Sequence, residues 1–159
     1  MNVHVSIMDE NDIDDVLEIS NLSFSSPWSR LSYEQELNNT LAKYFVAKID
    51  NKVVGFIGTW IIVDESHITN VAVHPNYRKL GIGSKLIESM LSYCNEKNCT
   101  AYTLEVRESN KAAISVYEKH GFIIDGIRKE YYQDNKENAL LMWLRIRSEE
   151  RRVGKECRS

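Results

Sequence analysis

The segment VAVHPNYRKLGIGS, residues 71–84, joins a short apolar run to the start of a long amphipathic stretch. The apolar run, closed by a proline, predicts the end of a β-strand, and the helical spacing of apolar residues beyond it predicts an α-helix. Gly81 and Gly83 leave backbone N–H groups uncovered where that helix begins, at the positive end of its dipole. Arg78 and Lys79 add formal charge. The segment therefore predicts an anion-binding turn between a strand and a helix.

Two common phosphate-binding loops are excluded by spacing. A Walker loop needs Gly-Lys-Ser/Thr in direct succession, whereas Ser84 separates Gly83 from Lys85. A dinucleotide fingerprint needs a small residue three positions after Gly83, where this chain has Leu86. Taken by itself, the segment fits a glycine turn with solvated basic residues equally well.

The patterns on either side of this turn predict an α/β fold. Upstream they predict a strand at residues 3–7, a helix capped by Asp12, a short helix capped by Ser32, and a meander of strands at 44–49, 53–63 and 66–73. Downstream they predict a helix at 84–97, a strand at 102–106, a helix at 110–120, a strand at 122–125, and a hairpin of 128–132 with 139–146. A meander joined to βαβ units implies one α/β domain, with a central mixed, mostly antiparallel sheet and helices on both faces.

Composition sets the broad class of protein. The chain has 159 residues, of which 43% are hydrophobic and 27% charged, as expected for one soluble domain. We assign that domain to residues 1–146 and predict that residues 147–159 form a charged, disordered tail, whose composition resembles a cloning read-through. A net charge of −3 creates no general field for nucleic acid or an anionic membrane. The chain has neither a signal-peptide core nor an apolar run of membrane-spanning length, so we expect a cytoplasmic protein. We also expect it to be a monomer or a weak dimer.

Cysteine and histidine patterns exclude the usual metal and disulfide frameworks. The three cysteines form no C-x-x-C pair, and the four histidines show no H-E-x-x-H spacing. We predict no metal site and expect the cysteines to be buried thiols.

The turn and a second block together resemble a known family. Arg78-x-x-Gly81-x-Gly83 after a strand resembles the pyrophosphate loop of the GCN5-related N-acetyltransferases, whose pattern is Arg/Gln-x-x-Gly-x-Gly/Ala. Residues 104–122, LEVRESNKAAISVYEKHGF, are similar to the RimI-type subfamily, the ribosomal-protein-alanine N-acetyltransferases. Three shorter pieces also match: Pro27-Trp28-Ser29, Asp64-Glu65, and Arg128-x-x-Tyr131-Tyr132 with Glu137-x-Ala139. The resemblance covers about residues 3–146, and its one departure is Asn138, where an aspartate is expected.

The resemblance implies acetyl-CoA as co-substrate, with no metal. The backbone of Val71, Ala72 and Val73 would pair with the pantetheine arm, and an N–H of that strand would meet the oxyanion. Asn110 would contact the cofactor near the thioester while also capping its helix. The pyrophosphate would be held by Arg78, Lys79, Leu80, Gly81, Ile82, Gly83 and Ser84.

The resemblance further aligns Glu105 with the general base and Tyr117 with the general acid. An α-amine has a pKa of about 7.7–8.0, so roughly a tenth is neutral at pH 7 and a single carboxylate is an adequate base. Between Leu104 and Val106 we expect Glu105 to be desolvated, which would raise its pKa. Seen alone, Glu105 would more often be a surface residue or a partner of Arg107, and Tyr117 a core ring.

The substrate side is defined less sharply. Tyr131 and Tyr132 are most simply strand residues, and the resemblance implies that they also border a peptide groove. Trp28 is either a core anchor or a wall of that groove. Glu34 and Glu36 either meet a basic peptide or form ordinary helix surface.

The predicted function is acetylation of an N-terminal alanine, by resemblance that of small-subunit ribosomal protein eighteen. The predicted partner is therefore the N-terminus of a ribosomal protein, without direct nucleic-acid binding. An acetyltransferase for a small amine, such as a polyamine, and a non-catalytic acyl-CoA-binding module are the alternatives.

Overall fold

The computed structural model describes residues 2–146, which contain seven strands and four helices. The strands are β1 (His4–Ile7), β2 (Ala42–Ile49), β3 (Lys52–Ile62), β4 (Glu65–Val73), β5 (Ala101–Arg107), β6 (Ile123–Arg128) and β7 (Ala139–Arg145). The helices are α1 (Ile13–Ser23), α2 (Arg30–Leu37), α3 (Ile82–Glu96) and α4 (Lys111–Lys119). The predicted tail at residues 147–159 lies outside the described residues.

All seven strands form one sheet in the order β1-β2-β3-β4-β5-β7-β6. Each neighbouring pair is antiparallel except β4 and β5, which are parallel. The parallel pair is joined through α3, as a crossover requires. The predicted mixed, mostly antiparallel sheet is confirmed.

Helices cover both faces of this sheet, also as predicted. Helices α1 and α2 pack on one face, around a core that includes Ile13, Tyr33 and Phe56. Helices α3 and α4 pack on the other, where Leu86 and Tyr117 belong to a larger core. Each helix packs one apolar stripe against the sheet. Successive side chains of a strand point alternately into the two cores.

The first two helices begin differently from the prediction. The Asp12 side chain does not cap α1, because it accepts the backbone N–H of Asp9 and pairs with Lys48 at 3.0 Å. Helix α2 is capped by Ser29, whose hydroxyl accepts the N–H of Ser32 at 3.2 Å. The N-cap precedes the helix, so Ser32 lies three residues too late for the role assigned to it.

The closing hairpin also differs. One strand, β6, replaces the predicted strands at 122–125 and 128–132, and it pairs with β7 from Ile123 to Arg128. Glu130 then adopts a left-handed φ of 52°, which ends the extended chain. Tyr131 and Tyr132 are therefore loop residues, and the prediction that they lie in a strand is wrong.

Both described cysteines, Cys94 and Cys99, are buried, and neither forms a disulfide within residues 2–146. Burial raises the pKa of the Cys94 thiol to about 12, so it remains protonated at neutral pH. Cys157 lies outside the described residues. In residues 2–146 no helix has the length and apolarity needed to cross a membrane.

A gap opens in the middle of the sheet. The parallel ladder between β4 and β5 holds for three pairs, from Glu65 with Ala101 to His67 with Thr103. The register of β4 against β3 then shifts, from Ile68 opposite Thr59 to Asn70 opposite Gly58, which leaves Thr69 as the extra residue of a β-bulge. Beyond this bulge β4 pairs only with β3, and its other edge faces the gap.

Candidate active site

The edge of β4 that faces the gap offers backbone hydrogen-bonding groups. The N–H of His74 donates to the carbonyl of Val54 at 2.8 Å. In an antiparallel ladder such pairs alternate, so Ala72 also points its peptide groups toward β3 while Val71 and Val73 point theirs into the gap. Of the three predicted cofactor-pairing residues, two are oriented for that task and Ala72 is not.

The turn after β4 leads to the start of α3 at the same end of the gap. Gly81 has a left-handed φ of 79° and precedes the helix without a side-chain cap. A side chain added at Gly83 would meet no protein atom within 4 Å. The first-turn N–H groups of α3 are therefore uncovered, and the space in front of them is open.

Two basic side chains lie beside these backbone N–H donors. Arg78 and Lys79 are both exposed beside the turn. The Nε of Arg78 donates to the carbonyl of Val73 at 3.2 Å, which holds the guanidinium at the mouth of the gap. Uncovered N–H groups, a helix dipole and two cations form a cradle that fits a diphosphate.

Glu105 lies on the opposite side of the gap, on β5, but not in the predicted apolar setting. Leu104 and Val106 face the core, so strand alternation places Glu105 on the other face of the sheet. Its side chain is 31% exposed and pairs with the Nε of Arg128 at 3.1 Å. The expectation of a desolvated carboxylate is wrong, and so is the alternative pairing with Arg107.

Tyr117 is buried on α4, where its ring lies 5.8 Å from that of Phe122. Burial, and secondarily the nearby Tyr132, raise the pKa of its phenol well above the usual value. Within residues 2–146 the phenol makes no hydrogen bond. It is thus a proton donor that stays protonated and has a free O–H.

Asn110 performs the capping role predicted for it. Its side-chain oxygen accepts the N–H of Ala113 at 3.2 Å, at the first turn of α4. This contact holds the start of the helix that carries Tyr117. Whether Asn110 also touches a cofactor stays a prediction.

Residues 129–138 form a loop beside Glu105. The charge of Glu105 is the main cause that raises the pKa of Tyr131, and it adds to the effect of burial on Tyr132. Both tyrosines therefore lie close to this carboxylate. Asn138 holds the loop base, since its side-chain oxygen accepts the N–H of Glu130 at 3.0 Å. An aspartate there would supply the same acceptor, so the departure from the subfamily pattern preserves this contact.

Arg107 ties this loop to the rest of the site, a role that the sequence did not reveal. Its guanidinium lies 3.9 Å from the ring of Tyr132, 2.9 Å from Asp134 and 3.4 Å from Glu137. It also donates to the hydroxyl of Ser25, in the connection between α1 and α2. We call these five residues the Arg107 clamp. Its acidic members are 27 and 30 residues away in sequence, so no short motif could identify it.

Trp28 contacts the core, as one of its two predicted roles requires, and its role as a wall of the substrate groove stays a prediction. It is partly buried, and its ring lies 5.5 Å from that of Tyr33 in the core beneath α2. It also lines a surface cavity with Trp60 and Glu36. Glu36 is buried, whereas Glu34 is exposed on the same helix.

The chemistry available here is transfer between two ligands that meet in the gap. An extended ligand with an anionic end could pair with the open edge of β4 and place that end at the turn, and a second ligand could reach Glu105 from the face on which the Arg107 clamp lies. Tyr117 approaches from the core beneath the opposite face of the sheet. No group of three or more metal-ligating side chains is positioned for a metal within residues 2–146.

Comparisons with known proteins find similar sequences over most of the chain. The sequence profile of the acetyltransferase (GNAT) family matches residues 13–122, more than half of the chain. A provisionally named [ribosomal protein bS18]-alanine N-acetyltransferase of Bacillus subtilis (strain 168) is 45% identical over 136 residues, covering 85% of this chain and 90% of that protein. The [ribosomal protein bS18]-alanine N-acetyltransferase of Escherichia coli (strain K12) is 30% identical over 144 residues, covering 89% and 97%.

A solved structure shows the same relationship in three dimensions. The crystal structure of the ribosomal-protein-S18-alanine N-acetyltransferase from Escherichia coli superimposes with a TM-score of 0.84 at 30% identity. The match covers 91% of this chain and 94% of that one.

Proposed function

This chain belongs to the acetyltransferase (GNAT) family, and we propose that it transfers the acetyl group of acetyl-CoA to the α-amine of an N-terminal alanine. The proposed substrate is ribosomal protein bS18. The observation that carries this proposal is the 45% identity, over 85% of the chain, to the Bacillus subtilis relative named for that substrate. The open edge of β4 supports it independently, because an exposed strand edge can pair with an extended ligand.

We assign the handling of acetyl-CoA to the turn and to β4. The uncovered N–H groups at residues 81–84, with Arg78 and Lys79, bind the pyrophosphate. The outward-facing peptide groups of Val71 and Val73 bind the pantetheine arm as an added strand. One of their N–H groups stabilises the oxyanion that forms at the thioester carbonyl.

Glu105 acts as the general base. The neutral fraction of an α-amine, roughly a tenth at pH 7, is sufficient for attack, so Glu105 only has to accept the proton that the attacking nitrogen releases. The ion pair with Arg128 holds the carboxylate in place, and its 31% exposure leaves room for a bridging water.

Tyr117 acts as the general acid. Its raised pKa keeps the phenol protonated through the whole range in which the amine becomes neutral. As the carbon–sulfur bond of the tetrahedral intermediate breaks, the phenol donates its proton to the departing sulfur, and it regains a proton from solvent before the next turnover. We therefore expect the rate to rise with pH through the amine's pKa, without a fall from phenol ionisation below about pH 10.

A peptide panel tests the proposal. The full chain is incubated with acetyl-CoA and peptides that begin with alanine, serine, glycine or methionine, alongside a polyamine. Mass spectrometry then locates any acetyl group. We expect acetylation at the α-amine, fastest for the alanine peptide taken from bS18. Preferential acetylation of the polyamine, or no transfer to any peptide, contradicts the proposal.

A charge-neutral variant tests the role of Glu105. Replacing Glu105→Gln keeps the shape but removes the base, so we expect turnover to fall about 100-fold with acetyl-CoA binding unchanged. Glu118→Gln, on the exposed surface of α4, removes the same charge and is the matched control. Equal turnover in the two variants would remove Glu105 from the mechanism.

A further inference from the structure

A second cavity lies between α2 and the end of β3, outside the β4–β5 gap. Its volume is about 280 Å³. It is lined by Trp28, Ser32, Gln35, Glu36, Asn39 and Trp60. Two of these residues are tryptophans and one is a carboxylate, a combination that the acetyl-transfer chemistry does not use.

Glu36 is the notable member of this cavity, because it is 8% exposed yet has no cationic partner within residues 2–146. Both of its oxygens accept the indole N–H of Trp60, at 3.0 and 3.1 Å. One oxygen also accepts the amide of Asn39 at 3.4 Å. A carboxylate can accept about four hydrogen bonds, so two neutral donors leave capacity unused. Buried carboxylates are normally ion-paired, which leaves Glu36 in need of a cation.

The two indoles fit that missing cation. Trp60 is 37% exposed and Trp28 is partly buried, so each presents ring surface to the cavity. A guanidinium or ammonium over an indole face is stabilised by the ring quadrupole. The hydrogen bond from Trp60 fixes the position of the carboxylate relative to its ring.

The strand register places this cavity on the substrate side of the sheet. Trp60 is paired with His67, and His67 with Thr103, so these three residues share a face. Glu105 lies two residues beyond Thr103 and therefore on the same face. Two strand spacings of about 4.8 Å and two residue steps of about 3.3 Å give a separation of about 12 Å between the Trp60 and Glu105 backbones.

We infer that this cavity binds a lysine or arginine side chain of the protein being acetylated. An extended peptide advances about 3.3 Å per residue, so 12 Å corresponds to three or four steps from the acetylated residue. The cation is then the side chain of residue four or five of the substrate. This inference rests on the proposed function and adds to it a second determinant of substrate choice.

An arginine scan tests the inference. The peptides begin with alanine, are otherwise neutral, and carry one arginine at positions two to seven; arginine is chosen because it is not itself acetylated. We expect kcat/KM to be about five- to tenfold higher with arginine at position four or five than in the peptide without arginine. In Glu36→Gln, where the amide oxygen still accepts the Trp60 N–H, we expect this preference to disappear.

Glu34→Gln is the matched control, since it removes the same charge from an exposed position of the same helix. It should retain the preference, while acetyl-CoA binding stays unchanged in both variants. A preference that survives in Glu36→Gln, or that is lost equally in Glu34→Gln, overturns the inference. The inference is also overturned if kcat/KM of the wild-type chain does not depend on the position of the arginine. This measurement is sufficient by itself if Glu36→Gln does not fold.

The scan separates this inference from the proposed function. If the wild-type chain acetylates alanine peptides without regard to arginine position, the cavity has no role and the proposed function stands. If it acetylates no alanine peptide, the proposed function fails first and the inference fails with it.

Discussion

The two sides of the β4–β5 gap present different chemical groups to a ligand. On the β4 side the groups that face the gap are peptide N–H and C=O groups, left uncovered by a bulge, a left-handed glycine and an uncapped helix start. On the β5 side they are side chains, namely Glu105, Arg128 and the Arg107 clamp. The first side depends on local backbone conformation, and the second depends on contacts between distant segments.

This difference matches the needs of the two ligands. A coenzyme presents the same diphosphate and amide arm in every cycle, so fixed backbone donors suffice to bind it. A protein substrate must be distinguished from others, which requires side chains placed by tertiary contacts. Substitutions on the two sides should therefore have separable effects on coenzyme binding, turnover and substrate binding.

The largest effect is expected for Tyr117→Phe, which tests whether the β5 side and its helix carry the chemistry. Loss of the phenol removes the proton donor for the thiolate, and we expect kcat to fall about 100- to 10,000-fold. Coenzyme binding and thermal stability should change little, because the phenol makes no hydrogen bond within the described residues. The measurement is release of free coenzyme A thiol, together with calorimetric titration of acetyl-CoA.

Tyr102→Phe is the control for that substitution. Tyr102 is fully buried in the same core, and its hydroxyl donates to the backbone carbonyl of Leu91 at 3.4 Å. It should leave kcat within about twofold. If both variants lose activity equally, Tyr117 acts through packing and the chemistry must be sought elsewhere.

A smaller effect is expected for Gly83→Val, which tests the β4 side. The new side chain meets no protein atom within 4 Å at its first carbon, so stability should be unchanged or slightly raised, since valine is a better helix former than glycine. It would occupy the space before the uncovered N–H groups, and we expect acetyl-CoA to bind about 10- to 100-fold more weakly. Titration of acetyl-CoA and thermal unfolding measure the two effects.

Gly126→Val supplies the comparison for Gly83→Val, because Gly126 also has room for a side chain, near Leu141 on the other end of the sheet. Unaltered acetyl-CoA binding in Gly83→Val would show that the diphosphate does not lie at this turn.

The smallest effect concerns the Arg107 clamp and its pH dependence. The bond from Arg107 lowers the pKa of Asp134, and the bond from Ser109, with a further contribution from Arg107, lowers that of Glu137. Because both are depressed in the folded chain, their stabilisation is present above the ordinary carboxyl pKa of about 4 and is lost as pH falls through the lower folded values. Carbon NMR titration of the two carboxylates measures this directly.

Arg107→Met tests whether Arg107 lowers the pKa values of these two carboxylates. Both carboxyl pKa values should move up toward the ordinary range, and the KM for the peptide should rise about two- to fivefold while acetyl-CoA binding is retained. Arg145→Met, which removes the partner of Asp125 at 3.6 Å, should leave both carboxylates unaffected. A rise in the KM for acetyl-CoA instead would place the clamp on the coenzyme side.

The difference between local backbone conformation and contacts of distant segments also explains which features the sequence could predict. The turn at residues 78–84 was recognisable because glycine, basic residues and the start of an apolar helix are adjacent in the chain. The environment of Glu105 was not, since strand alternation moved it away from Leu104 and Val106 and placed Arg128 beside it. The strand predicted at 128–132 failed for a local reason, the left-handed Glu130, which side-chain pattern alone does not signal.

The three-pair ladder between β4 and β5 also affects the stability of the folded chain. Within residues 2–146 those three pairs form the strand ladder at the seam between the two halves of the sheet, while the core under α3 and α4 also spans both halves. An added strand of pantetheine would bridge the seam, and a ligand present at 100 times its Kd stabilises the folded state by about 2.7 kcal/mol. We therefore expect bound acetyl-CoA to raise the resistance of the chain to heat and proteolysis.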